Sequence, residues 1–304
     1  MNIALITITY NDDLRLNQWK DLYQRYNKDI NYHIIVDNNS NHKYKNELKK
    51  AFPDSIIIER TTNGGCTAAY NDGIKYALDS TDCDAIGIIC NDTKVELDFY
   101  PVLYDYLYSD DELGMVSPAT LIKDTDVVNN FGHSVTNHLT MKNNYHGKKI
   151  NDLKNNEYSE MLLGGNNLAK RSFYKKIGLQ DENLFMYSDE LDTAFRAKKA
   201  KIKLGVTSKT TSMHYHIPYL NKLDKPYFCY YLMQRNKVYL AHKHFDMFKV
   251  LQVFLTFLFL DIGFIIKSLL TRNSEKFHAT LWGLLGLING LLKNMKSNKY
   301  SQPK

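Results

Sequence analysis

The sequence predicts an α/β protein: a mostly parallel, twisted sheet flanked by helices, followed by a helical C-terminal extension. Three observations carry that prediction. Short, β-rich apolar runs alternate with helix-like stretches through the first part of the chain, the order that a right-handed parallel sheet requires. Each run ends in polar residues, as expected where such a sheet gathers a ligand at the carboxyl ends of its strands. The last part of the chain is instead apolar and basic.

Taken in order, "IALITIT" opens the sheet and runs into the polar "YNDD". "YHIIVDNNS" is a second strand ending in a turn, "SIIIERTTNGG" a third and "AIGIICNDT" a fourth. Helix-like patterns fill residues 14–26, 43–51 and 67–78 between them. The polar strand ends are Thr9, Tyr10 and Asn11; Asp37, Asn38 and Asn39; Asn63; and Asn91 with Asp92. Residues 114–160 are polar and loop-rich and yield no clear element. A further helix starts near Ser188, and "IKLGVTSKTTSMHYH" reads as a strand leading to His214 and His216.

A chain of 304 residues can bury a full core, and 44% hydrophobic with 12% aromatic residues excludes disorder. Four scattered cysteines without a CxxC pair point to reduced thiols of a cytosolic protein. The opening residues lack a basic region and a cleavage site, so no secretory signal is expected. The net charge of +6 is uneven: from residue 221 onward 13 Lys/Arg face 4 Asp/Glu, leaving −3 for the rest. Such asymmetry points to an anionic surface. A membrane suits the neighbouring hydrophobicity. Nucleic acid does not, because basic and aromatic residues are not interleaved on the α/β part.

Several motifs carry chemistry, each with a plainer alternative. "NGGCTAAYNDGIKYAL" offers small residues and a helix N-terminus, fit for a diphosphate; equally, it is a glycine turn that starts a helix. "GIICNDTKVE" delivers Asn91 and Asp92 to a strand end, where a carboxylate can hold Mg²⁺ or Mn²⁺ against phosphate oxygens; equally, it is an Asn-Asp turn. Asp37 either accepts from a nucleoside or begins an Asx-turn. In "FMYSDELDTAFR" three acids crowd a helix start. Asp189 and Asp192 lie at i and i+3, Asp192 can pair with Arg196 at i+4, and Glu190 is left to face a cleft. Crowding of this kind raises the proton affinity of one carboxylate.

In their order, these motifs resemble the family 2 glycosyltransferases with the GT-A fold, in particular the bacterial rhamnosyltransferase-like and galactofuranosyltransferase-like branch. The resemblance runs from about residue 2 to residue 245. It rests on "TITYND", "IIVDNNS", Asn63-x-Gly65 with Asn71-x-Gly73, "CNDTKVELDF", the stretch 162–200, His214 and "YYLMQRNKVYLAHKH". It implies a nucleotide-sugar site of Thr9, Tyr10, Asp37, Asn63, Gly65, Asn71, Asn91 and Asp92. It implies a divalent cation, Mn²⁺ or Mg²⁺, on Asp92 and His214, and Glu190 as catalytic base. Two departures stand out: Cys90 replaces the first acid of a DxD motif, and the acids run Asp-Glu rather than Glu-Asp, which keeps Asp189 as the alternative base.

The implied protein is an inverting glycosyltransferase, with residues 1–245 catalytic and 246–304 a helical extension. Its partners would be a nucleotide-diphosphate sugar and a lipid-linked or growing surface glycan. The alternatives are a non-catalytic nucleotide-sugar-binding scaffold and a sugar nucleotidyltransferase. Residues 250–266 are apolar nearly all round, but Asp261 and the length argue against a clean span of roughly 20 residues. Residues 277–292 carry Gly283, Gly286 and Gly290, spaced to let helices approach closely. With flanking Lys and Arg, the extension is expected to lie on the cytoplasmic membrane face or to form a hairpin packed in the chain or against a second subunit.

Overall fold

The computed structural model describes residues 1–214 and 226–295. The chain begins with β1 (Ile3–Thr9), α1 (Leu16–Gln24), β2 (Tyr32–Asp37), α2 (His42–Ala51), β3 (Ile56–Glu59), α3 (Gly65–Ser80) and β4 (Ala85–Ile89). These are the four strands and three helices expected from the apolar runs, with ends shifted by a few residues. β5 (Thr93–Val95), α4 (Phe99–Tyr108), β6 (Leu113–Leu121) and β7 (Val128–Asn130) follow, then the short hairpin β8 (Ser134–Val135) and β9 (Met141–Lys142). Next come β10 (Asn156–Ser159), β11 (Asn166–Lys170), α5 (Arg171–Ile177), α6 (Asp189–Lys199) and β12 (Lys203–His214). Three helices close the described chain: α7 (Tyr227–His244), α8 (Met247–Leu270) and α9 (Ser274–Leu291).

By its internal contacts the chain divides into two compact units. The first comprises Met1–Val135, Met141–Gln180 and the chain from Thr193 to the end of β12; it holds the main sheet, ordered β10-β12-β6-β11-β4-β1-β2-β3. β1 pairs in parallel with β2 and β4, and β2 with β3. β11 inserts antiparallel between β4 and β6, so the sheet is mixed there. β1, β2 and β4 are buried almost throughout, as strands covered on both faces must be. On α3, Gly73 permits the close approach to β1, since a Cβ there would stand 2.6 Å from Ile6 Cγ2.

The stretch 114–160, expected as loop, contains a central strand. β6 is buried at every position, although it includes Pro118, which cannot donate to a ladder. Its parallel partner β12 breaks register just past the Pro118–Thr207 pair, and this accommodates the proline.

The second unit comprises Thr136–Thr140, Asp181–Asp192 and α7 to α9. α9 packs closely on α7 through glycine. A Cβ on Gly286 would meet Tyr231 O at 2.1 Å, and one on Gly290 would meet Arg235 O at 2.5 Å. α8 spans 24 residues with a mean hydropathy of 2.1 in its most apolar window, of which 22% is buried. The length argument against a span therefore falls: α8 is long and apolar enough to cross a membrane. Asp261 is buried on its inner side, accepting from Gln234 Nε2 at 3.4 Å. Its outer side bares Phe248, Phe259 and Leu270, at 77%, 68% and 81% exposure.

Candidate functional site

At the carboxyl edge of the parallel strands, Thr9 and Asp37 face each other in register. Thr9 Oγ1 makes a short hydrogen bond with Tyr44 Oη. The Asp37 carboxylate is fully buried; it accepts from Ser40 N–H at 3.1 Å and lies 3.6 Å from Lys45 Nζ. Asn38 ties this edge to the start of α3. Its amide donates to Asn63 Oδ1 at 2.9 Å and Gly65 O at 3.1 Å, and accepts from Gly64 N–H at 3.1 Å. Asn63 Oδ1 also receives Gly65 N–H. Asn11 and Asn39 adopt positive φ of 48° and 68°, a conformation in which Asn is enriched. Tyr10 is exposed. Asn71 lies further along α3 and brackets the Gln180 backbone, donating at 2.9 Å and accepting at 2.8 Å.

Beside this edge the chain after β4 meets the end of β12, because β5 pairs antiparallel with β12 and sets Thr93 against His214. Cys90, Asp92 and His214 bring one ligand atom each within 4.8 Å of one another. Asp92 is buried and its Oδ1 lies 3.3 Å from His214 Nδ1. Asn166 Nδ2 lies 3.3 Å from His214 Nε2, so the two ring nitrogens face Asn166 and Asp92 respectively. Gly165, at φ +90°, leaves room for the thiol: a Cβ there would stand 2.5 Å from Cys90 Sγ. His216 lies outside the described residues.

The sequence did not disclose the basic partner of this cluster. Arg15 Nη1 reaches Asp92 Oδ2 at 3.1 Å, while its Nε holds Asp12 at 2.9 Å. Asn91 donates to Asp12 at 2.5 Å. Arg15 sits 77 positions before Asp92, and no local pattern links the two.

The three crowded acids have different surroundings. The chain enters α6 through Phe185, Tyr187 and Ser188, all at positive φ of 64° to 67°, a conformation costly for residues bearing a Cβ. α7 holds this turn in place. Asn236, fully buried, donates to the carbonyls of Leu184, Met186 and Tyr187 at 2.8 to 3.0 Å. Arg235, equally buried, donates to Asn183 O at 2.9 Å, to Leu184 O at 3.0 Å and to Asn236 Oδ1. This buried pair, within "QRNKVY", also went unrecognised in the sequence; a charged residue beside Asn inside an apolar helix was its signal.

Asp192 is fully buried and held by His244 Nε2 at 2.7 Å and Lys243 Nζ at 2.8 Å. Arg196 donates to the carbonyls of Ile177 and Gly178 at 2.7 and 3.2 Å. Asp189 is buried, and burial first, then the adjacent Glu190 charge, pushes its carboxyl well above the usual carboxylate range. Glu190 is half-buried, the least buried of the three acids.

A curated relative, the low-salt glycan biosynthesis hexosyltransferase Agl10 of Haloferax volcanii, is 24% identical over 221 residues, or 70% of this chain and 67% of that protein. The crystal structure of GalNAc-T7 with UDP, GalNAc and Mn²⁺ superposes with a TM-score of 0.60 at 13% identity, over 79% of this chain and 48% of that one. The structure of S. aureus TarS 1-349 superposes with a TM-score of 0.54 at 12% identity, over 97% of this chain and 82% of that one. At such identities the likeness shows the fold, that of GT-A glycosyltransferases. The model of glycosyl transferase family 2 matches residues 5–178; with more than half of its length so matched, the chain belongs to that family and is a glycosyltransferase.

Proposed function

We propose that the protein transfers a sugar, with inversion, from a nucleotide-diphosphate sugar to a hydroxyl of a lipid-linked or growing cell-surface glycan of the capsule or O-antigen type. The observation that carries this reading is the Cys90–Asp92–His214 cluster beside the carboxyl edge of the sheet. Its donors suit a divalent cation: one carboxylate oxygen and one imidazole nitrogen, with the remaining positions open to phosphate oxygens. Asp92 and His214 would hold Mn²⁺ or Mg²⁺, which when bound neutralises charge gathering on the departing diphosphate. Thr9, Tyr10, Asp37, Asn63 and Gly65 line the nucleotide end, with Asn91 beside it and Asn71 bracing α3 behind.

The acceptor hydroxyl must lose a proton as its oxygen bonds the anomeric carbon, and a side-chain carboxylate takes it. Glu190 fits that role because Asp192 is paired and Asp189 is buried. The rhamnosyltransferase-like branch, and a catalytic region of residues 1–245, follow from the pattern of motifs. The outer face of α8 supports a peripheral seat on the cytoplasmic membrane surface, where a lipid-linked acceptor resides. A thermal-shift screen of UDP-, dTDP- and GDP-sugars with Mn²⁺ tests the donor: one nucleotide class should raise Tm, and EDTA should remove both that shift and transfer. Transfer unchanged by EDTA would end the metal reading.

A further inference from the structure

Helices α7, α8 and α9 enclose a cavity of about 500 Å³, within the range of small-ligand sites. Asp261 and Ser268, both buried, lie at its floor beside Gly283. Among the described residues, two acceptors there lack a hydrogen-bond partner and have almost no accessible surface: Asp261 Oδ2, on a side chain only 5% exposed, and Gln234 Oε1. Orphaned buried acceptors are costly, and a small rotation of either side chain toward the cavity would let a ligand O–H or N–H satisfy it. The mouth has the opposite character. Lys267, in the last turn of α8, and Lys276, in the first turn of α9, line it and are exposed. An anion suits the mouth and donors suit the floor. Beside the mouth, Phe264 and Leu270 present apolar surface at 54% and 81% exposure.

We propose that this cavity binds the head group of a phospholipid, its phosphate between Lys267 and Lys276, its hydroxyl or amine groups on Asp261 and Gln234, and its chains along the outer face of α8. The inference rests on the membrane seat proposed above and adds a defined site to it. Gly283 makes it testable without unfolding the protein. A Cβ there meets Gln234 Cγ at 3.4 Å and Asp261 Oδ2 at 3.9 Å, so Gly283→Leu fills the cavity while favouring the helix.

The full chain is assayed by sedimentation with phosphatidylcholine vesicles, with and without phosphatidylglycerol, and by thermal shift with glycerol 3-phosphate as soluble probe. Phosphatidylglycerol should strengthen binding on the order of tenfold or more, given two lysines at the surface. Gly283→Leu, with Tm undiminished, and Lys267→Ala/Lys276→Ala should each abolish that preference. Retention of the full preference by Gly283→Leu overturns the site, as does a Tm rise with glycerol 3-phosphate that Gly283→Leu leaves unchanged. Equal binding to both vesicles, insensitive to either variant, removes the site and leaves the membrane seat standing; binding to neither removes both.

Discussion

The acids at the start of α6 divide their work by environment. Asp192 is spent on Lys243 and His244, which leaves Glu190 and Asp189 as the pair to distinguish by mutation. Glu190→Gln should lower transfer by about 10²- to 10⁴-fold, the usual worth of a general base, while nucleotide binding persists in the thermal-shift assay. Normal turnover in that variant would pass the role to Asp189. Asp189 also makes a pH prediction. Its folded-state affinity for a proton is raised, so its stabilising contribution is fully present below about pH 4, its unfolded value, and is lost as pH rises through the folded one. Asp189→Asn should flatten that decline and raise Tm at neutral pH. A variant less stable than the parent at pH 7 would mean that the carboxylate is charged and paired.

At the scale of elements, β1 to β4 were legible because unbroken apolar runs between turn residues leave little choice. β6 was not: Ser117, Pro118 and Thr120 disguise a strand whose burial depends on β12 and β11, both far along the chain. The strand-end residues were legible for a related reason, since topology alone sends them to one edge. Arg15 and Asn236 were not, because each acts on a segment dozens of residues away. The glycines of α9 are equally contextual. Gly286→Ala would drive a methyl into the Tyr231 carbonyl, 2.1 Å from its ideal position, and should cost about 2–3 kcal/mol as an overpacking change. Gly283→Ala, which meets nothing closer than 3.4 Å, should be neutral or stabilising. Equal denaturation midpoints for the two would contradict this packing of α9 on α7.

For the molecule as a whole, the membrane reading is better tested on the outer face of α8 than by cutting the chain. Truncation after His244 would strip α7 of α8 and α9 and bare residues such as Val238, now fully buried. Phe248→Ser/Phe259→Ser/Leu270→Ser alters only exposed side chains, and such changes usually shift stability by less than about 0.5 kcal/mol each. This variant should fold as the parent does yet fail to sediment with vesicles; undiminished sedimentation would retire the lipid contact. The buried knot of Arg235 and Asn236 has a consequence of its own. Three carbonyls of a contorted turn hang from one amide on α7, so α7 and the turn that carries Glu190 behave as a single rigid lever. Whatever shifts α7, lipid or protein, therefore carries the turn that bears Glu190 along with it.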